Sequence, residues 1–173
     1  EYDPPRIHGL QPVAEVIRVE RFSVAPMYNT HKIIYRDKSY QRAAYNYHKW
    51  RANPGESVTY FLARDMRQSR LFKAVLTHRS KSPYNYVLEG SVDEFLESDT
   101  ANGCQAVLTL SIVFIAAHEP DMDKKIRFQK TYPLSKSCKQ KNPMALAEAM
   151  SLAMSEASAE IIDDVYDNLA KRK

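Results

Sequence analysis

Residues 104–135 read CQAVLTLSIVFIAAHEPDMDKKIRFQKTYPLS, and this stretch decides the fold class. In its first half Ala106, Leu108, Leu110, Ile112 and Phe114 share one face at every second position. Ile126, Phe128, Tyr132 and Leu134 do the same in the second half. Such alternation marks strands that lay one face on a core. The intervening Glu-Pro-Asp-Met-Asp-Lys supplies a turn, so the two runs predict an antiparallel hairpin. If that hairpin centres on Asp121, Cys104 at the head of the first strand stands opposite Cys138 just beyond the second. A cross-strand disulfide is then open to them, provided their Cα atoms come within about 7 Å, and it would imply an oxidising compartment. The other reading is two unrelated thiols, since a slip of two residues would part them.

Outward from the hairpin, the pattern repeats and then changes. LFKAVLTH (71–78) and YVLEGSVDEFLE (86–97) are strand-like, as are VAEVIRVERFSVA (13–25) and a short run around Lys32–Arg36. In the first of the chain's strands Val13, Val16, Val19, Phe22 and Val24 are the expected apolar positions. A turn is expected at Asp37–Ser39, then an extended edge over Gln41–Trp50 with Tyr45 and Tyr47 on one face. Asn53-Pro54-Gly55-Glu56 predicts a helix start: an N-cap, a proline whose missing N–H is not needed there, and an acid near the positive end of the helix. This helix should run to about Arg70 and bury Val58, Phe61, Leu62 and Met66, with Tyr60 a further member and Arg64, Arg67 and Arg70 facing outward. Residues 141–173 predict a closing helix with Leu146, Met150, Ala153, Ala157, Ile161, Val165 and Leu169 as its buried seam. Strands and helices do not alternate strictly, which argues against a doubly wound parallel sheet. The expected architecture is α+β: one mostly antiparallel mixed sheet with two helices packed on one face. Residues 1–12 read as an irregular lead-in or tether, and 13–173 as a single domain.

Composition narrows function chiefly by exclusion. The chain has 173 residues, 44% of them hydrophobic, enough for one core. Its four glycines are scattered, so no loop gathers backbone N–H groups around a phosphate. No apolar run is long enough to cross a membrane as a helix. The net charge of +4 conceals blocks. Residues 42–81 carry nine basic and two acidic side chains, 82–123 none and eight, and 124–142 seven and none. Alternating blocks of this kind are expected to neutralise one another across neighbouring strands, which argues against a nucleic-acid partner. They also leave open a homo-oligomer in which a basic stripe of one copy meets an acidic stripe of the next.

Candidate chemistry is sparse. His8, His31, His48, His78 and His118 stand at no spacing that gathers a metal. The pairs Asp93–Glu94 and Asp163–Asp164 are adjacent and so diverge, and no Gly-x-Ser-x-Gly elbow occurs. The sequence therefore points to no catalytic residues, no metal and no cofactor. Tyr45, Tyr47, Trp50 and Arg51, within YNYHKWRANPGES (45–57), instead suit a protein surface, because Tyr and Trp join a large apolar area to a polar handle. Trp50 is expected chiefly in core packing, and Tyr45 and Tyr47 in an exposed contact surface. Met144, Met150 and Met154 could either fill the core or line a cavity between helices and sheet.

Several stretches together resemble the ABC-type transport auxiliary lipoproteins, the family that includes the paraquat-inducible lipoproteins. They are RVERFSVAP (18–26), Ile33 with the IYR of 34–36, YNYHKWRANPGES, SRLFKAV (69–75), YVLEGSVDEFLE and the closing helix. The resemblance runs over about residues 13–170. In one departure, Asn85 stands where the family pattern often has an acid. The resemblance implies a non-catalytic periplasmic protein, lipid-anchored to the outer membrane of a Gram-negative bacterium. It also implies a partner: an ABC transporter with a mammalian-cell-entry-domain protein, which the chain would serve as docking or channel-completing subunit in lipid transport. A stand-alone lipid carrier is the alternative. Glu1 is not an initiator Met, so a signal peptide, an anchor or other sequence is expected upstream, and the resemblance implies that the lipid-bearing Cys lies there.

Overall fold

The computed structural model describes residues 2–5, 10–37, 41–100 and 103–171. In chain order the elements are β1 (Val13–Val19), β2 (Ser23–Val24), a 3₁₀ turn (Pro26–Tyr28), β3 (Lys32–Arg36), β4 (Arg42–Lys49) and α1 (Pro54–Ser69). There follow β5 (Phe72–Thr77), β6 (Tyr86–Thr100), β7 (Gly103–Ala116), the single turn α2 (Met122–Lys125), β8 (Ile126–Ser137) and α3 (Pro143–Ala170). All eight strands join one sheet organised on β6. Along one edge β6 pairs antiparallel with β7 over its full length, and β7 pairs with β8. Along the other edge β1, β2 and β3 are laid end to end, each parallel to β6. β5 adds parallel to β1, and β4 antiparallel to β3. The fold is thus α+β with a mixed sheet, its long ladders antiparallel and its N-terminal strands parallel.

The decisive hairpin forms in the expected register, with Gln105 facing Ser137 and Phe114 facing Phe128. Ala106, Leu108, Leu110, Ile112 and Phe114 are fully buried, facing the helix layer. Every residue of the expected α3 seam is buried as well. At the hairpin end Ile126 departs from expectation and is 53% exposed, because it sits at a register shift beside α2. α2 itself replaces part of the expected turn, capped by the Asp121 carboxylate on the Asp123 N–H.

Residues 13–25 form two strands rather than one. β1 carries an irregularity between Val13 and Val16, which rotates the alternation so that Ile17, not Val16, enters the core with Val19. The break before β2 has a tertiary cause: the Phe22 N–H donates to the Thr59 hydroxyl of α1 at 3.0 Å instead of to a strand. The Phe22 ring then lies over Gly90 of β6, where a built Cβ would come within 2.5 Å of Cε1. Of the three arginines expected to face outward on α1, Arg67 and Arg70 are exposed, Arg67 donating from Nε to the Val75 carbonyl at 3.0 Å, but Arg64 is only partly exposed and folds back on buried Asp65. Tyr60, at 61% exposure, lies outside the buried stripe. Arg70 ends the helix in the left-handed region, φ +56°, at the position where glycine is usual.

Candidate functional site: an exposed strand edge beside an apolar groove

β4 is an edge strand paired only with β3, and its register is irregular. Ile34 faces Ala44 while Lys32 faces Lys49, so Tyr45–His48 bulge away from the ladder. A bulge re-aims side chains that strict alternation would keep together, and it separates the two tyrosines. Tyr45 turns inward: its hydroxyl donates to Glu97 Oε2 at 3.0 Å and its ring meets Tyr35 edge-on at 5.4 Å. Glu97 is almost wholly buried, and that burial raises its carboxyl above the ordinary glutamate range against the opposing bond from Tyr45. Burial, then the Glu97 charge, pushes the Tyr45 phenol up in turn. Tyr47 projects into solvent at 92% exposure.

The chain then turns into α1. The Trp50 N–H donates to the His31 carbonyl at 2.7 Å, and the Trp50 ring packs edge-on against Phe95 at 5.2 Å, as its expected packing role requires. Arg51 is exposed, and among the described residues no carboxylate pairs with it. Asn53 caps α1 as expected, accepting from the Gly55 N–H at 3.0 Å, while its own amide donates to Asn29 at 2.8 Å. Gly55 allows this helix start to sit directly on β2, since a Cβ there would lie 2.7 Å from both the Phe22 carbonyl oxygen and Val24 Cγ2.

Between this turn, α1 and α3 lies a half-open groove of about 670 Å³. Phe95, Val58, Met150 and Met154 form its buried floor, and Trp50, Phe61 and Tyr60 its aromatic side. Met150 and Met154 therefore line a cavity, whereas Met144 is 74% exposed and does not. The lead-in supplies one wall. The Tyr2 hydroxyl donates to Asp65 Oδ2 at 2.6 Å, and its ring packs on Phe61 at 5.4 Å with the Arg64 guanidinium above it at 4.6 Å. Burial, then that bond to Asp65, holds the Tyr2 phenol well above its ordinary range. A second contact, from the Tyr166 hydroxyl to the Gln11 carbonyl at 2.9 Å, holds the lead-in against α3. The expected tether is thus fastened to the helix layer at its described ends; His8 and Gly9 lie outside the described residues.

Cys104 and Cys138 stand opposite each other as the register requires, with the Cys138 N–H donating to the Cys104 carbonyl at 2.8 Å. Both are free thiols here. Burial and the neighbouring Cys138 push the Cys104 thiol up to about 12. Among the described residues no three His, Cys, Asp or Glu side chains converge to hold a metal ion, and no helix is long and apolar enough to cross a membrane. Phe95, Glu97 and the lead-in's Tyr2 are the residues that sequence reasoning missed. Only Phe95 had a signal, its place in a strand pattern.

Comparison with known structures agrees with this fold. A Xanthomonas campestris protein of the DUF330 family superposes with a TM-score of 0.88 at 14% identity, covering 99% of this chain and 95% of that one. An uncharacterized protein superposes at 0.73 with 12% identity, covering 94% and 99%. A hypothetical protein of Chlamydia trachomatis does so at 0.57 with 11% identity, covering 91% and 98%. At such identities the likeness is one of fold. No curated protein matches the sequence. The family model described as "ABC-type transport auxiliary lipoprotein component" matches residues 4–162, nearly the whole chain, and the chain belongs to that family.

Proposed function

We propose that the chain is a non-catalytic, lipid-anchored subunit of an envelope lipid-transport system, in the periplasm and on the outer membrane. It would dock onto, or complete the channel of, an ABC transporter that carries a mammalian-cell-entry-domain protein. The observation that carries this reading is the β4 edge. Tyr47 stands out at 92% exposure on a bulged, singly paired strand, with Arg51, which has no carboxylate partner among the described residues, a few residues on. An exposed aromatic and an arginine beside unpaired strand backbone are what a protein partner engages. Trp50 supports this surface from behind, and Tyr45 fixes the bulge through Glu97 rather than meeting the partner itself.

The groove favours a second reading, a carrier that holds lipid itself, because its floor of Phe95, Met150 and Met154 is apolar and adaptable. One experiment separates the two. The full-length, lipid-anchored protein is captured from detergent-solubilised envelopes, and proteins and lipids are identified by mass spectrometry. Recovery of an ABC transporter with its mammalian-cell-entry subunit, reduced by Tyr47→Ala with Arg51→Glu, supports docking. Phospholipid without those proteins supports the carrier, and recovery of neither refutes both. Sizing the captured material at low and high salt tests for a homo-oligomer.

A further inference from the structure

The groove beside Trp50 has the composition of a site for one acyl chain. Its volume of about 670 Å³ falls within the roughly 300–1,000 Å³ of ligand clefts. Beyond the first turn of α1, the two helices that form its walls have spent their backbone hydrogen bonds internally, so those stretches offer none to an extended peptide or a polar metabolite. Of the polar side chains on its wall, Tyr2 and Glu56 are engaged, while Ser57, Tyr60 and Ser151 contribute only neutral hydroxyls. The Tyr2 hydroxyl is held by Asp65, and Glu56 is paired with Arg21 at 3.0 Å. Arg64, above Tyr2 and Phe61, is paired with Asp65 at 2.8 Å. Arg51 is the lining cation without a carboxylate among the described residues, and it stands at the open, solvent-facing side. An apolar trough with one uncompensated positive charge at its mouth is complementary to an anionic amphiphile.

We infer that the groove binds a fatty carboxylate, its chain lying along Trp50, Phe61, Phe95, Met150 and Met154 and its carboxylate meeting Arg51. This inference deepens the lipid-handling side of the reading above and does not depend on the transporter partner, so capture of the transporter and occupancy of the groove can fail separately. Trp50 is the only tryptophan of the chain, so its fluorescence reports this groove alone. The test titrates the delipidated full chain with a dibrominated stearate, whose bromines quench an indole in contact, below the concentration at which stearate aggregates. Saturable quenching reversed by unbrominated stearate is expected. Arg51→Gln should weaken binding about two- to fivefold, the range of an exposed ion pair. A brominated zwitterionic lysophospholipid should bind the unaltered protein with the same loss.

Ala147→Phe should abolish saturable quenching at unchanged melting temperature, because Ala147 is an exposed helix position that lines the groove. Quenching that is linear, or saturable quenching that survives Ala147→Phe, would overturn the site. Equal affinity for the carboxylate and the zwitterion, unaltered by Arg51→Gln, would overturn the role of Arg51. A Trp50 signal that moves only on adding the transporter proteins would make the groove a protein-docking surface and would also overturn the inference.

Discussion

Trp50 and Tyr47 lie three residues apart, yet they should answer truncation in opposite ways. The Trp50 ring packs on Phe95 on one side and opens on the groove on the other. A fully buried Phe or Trp cut to Ala costs about 3–5 kcal/mol, and an edge-on aromatic pair contributes about 0.5–1.5 kcal/mol of such a loss. Since Trp50 is only partly buried, Trp50→Ala should cost about 2 kcal/mol. In a domain of this size that lowers the melting temperature by about 4–8 °C. Tyr47 has almost no contact to lose, so Tyr47→Ala should stay within about 0.5 kcal/mol, or under about 2 °C. Thermal unfolding followed by circular dichroism measures both. Equal losses in the two variants, or a loss below about 0.5 kcal/mol for Trp50→Ala, would refute the division of this stretch into a packing residue and a surface residue. Transporter capture should show the converse, with Tyr47→Ala weakened while its stability is intact.

Three further outcomes follow from local geometry. Arg70→Gly relieves a non-glycine residue at φ +56°. After the added flexibility of the unfolded chain is counted, it should stabilise the protein by about 0.5–1 kcal/mol in urea denaturation, and a destabilised variant would contradict this. For Glu97 the folded-state carboxyl is raised mainly by burial, so the native state binds its proton more tightly than the unfolded chain does. Stability on that account is complete below the ordinary value of 4.5 and is lost as pH rises through the raised folded value. Glu97→Gln should therefore be more stable than the unaltered protein at pH 7, with the gap closing toward pH 4 in melting curves; a gap that widens toward acid would reverse the assignment. Finally, oxidised glutathione should close a Cys104–Cys138 disulfide, each bond formed releasing two molecules of reduced glutathione. A hydrogen-bonded antiparallel pair places its Cα atoms about 5.5 Å apart, within disulfide range. The cross-link should add at most about 4 kcal/mol. Peptide mapping that finds only mixed or intermolecular disulfides would reject it.

The parts of this fold that could be read in the sequence are those where one periodicity governs one element. The β7–β8 hairpin and the α3 seam each repeat a single pattern over many residues, so even the register that opposes Cys104 and Cys138 follows from it. What could not be read depends on contacts made elsewhere. The parallel addition of β1, β2 and β3 to β6 leaves no local mark. The break at Phe22 is set by Thr59 on a distant helix. The inward turn of Tyr45 needs a bulge in β4 and a buried Glu97 far along the chain, so alternation alone placed it wrongly with Tyr47. The groove is the extreme case, for its walls come from the lead-in, the β4–α1 turn, β6 and both long helices.

Charge gives the last constraint on where a partner can sit. The basic block at 124–142 was expected to meet the acidic strands beside it, but its lysines reach chiefly to α3. Lys130 pairs with Asp164 at 2.6 Å, Lys136 with Glu156, and Lys139 with Glu148 at 3.4 Å, while Lys141 takes Asp99 of β6 at 2.8 Å. Within one chain these pairs already compensate much of the acidic face of α3, so a head-to-tail ring would have little unspent charge to draw on there. The other basic block is different. Arg42, Lys49 and Arg51 have no carboxylate partner among the described residues, and they flank the bulge that presents Tyr47. Uncompensated positive charge raises association rates with a negatively charged surface and loses that effect with salt. The strand edge and the mouth of the groove therefore share one electrostatic preference, and a partner or ligand that reaches either should carry negative charge.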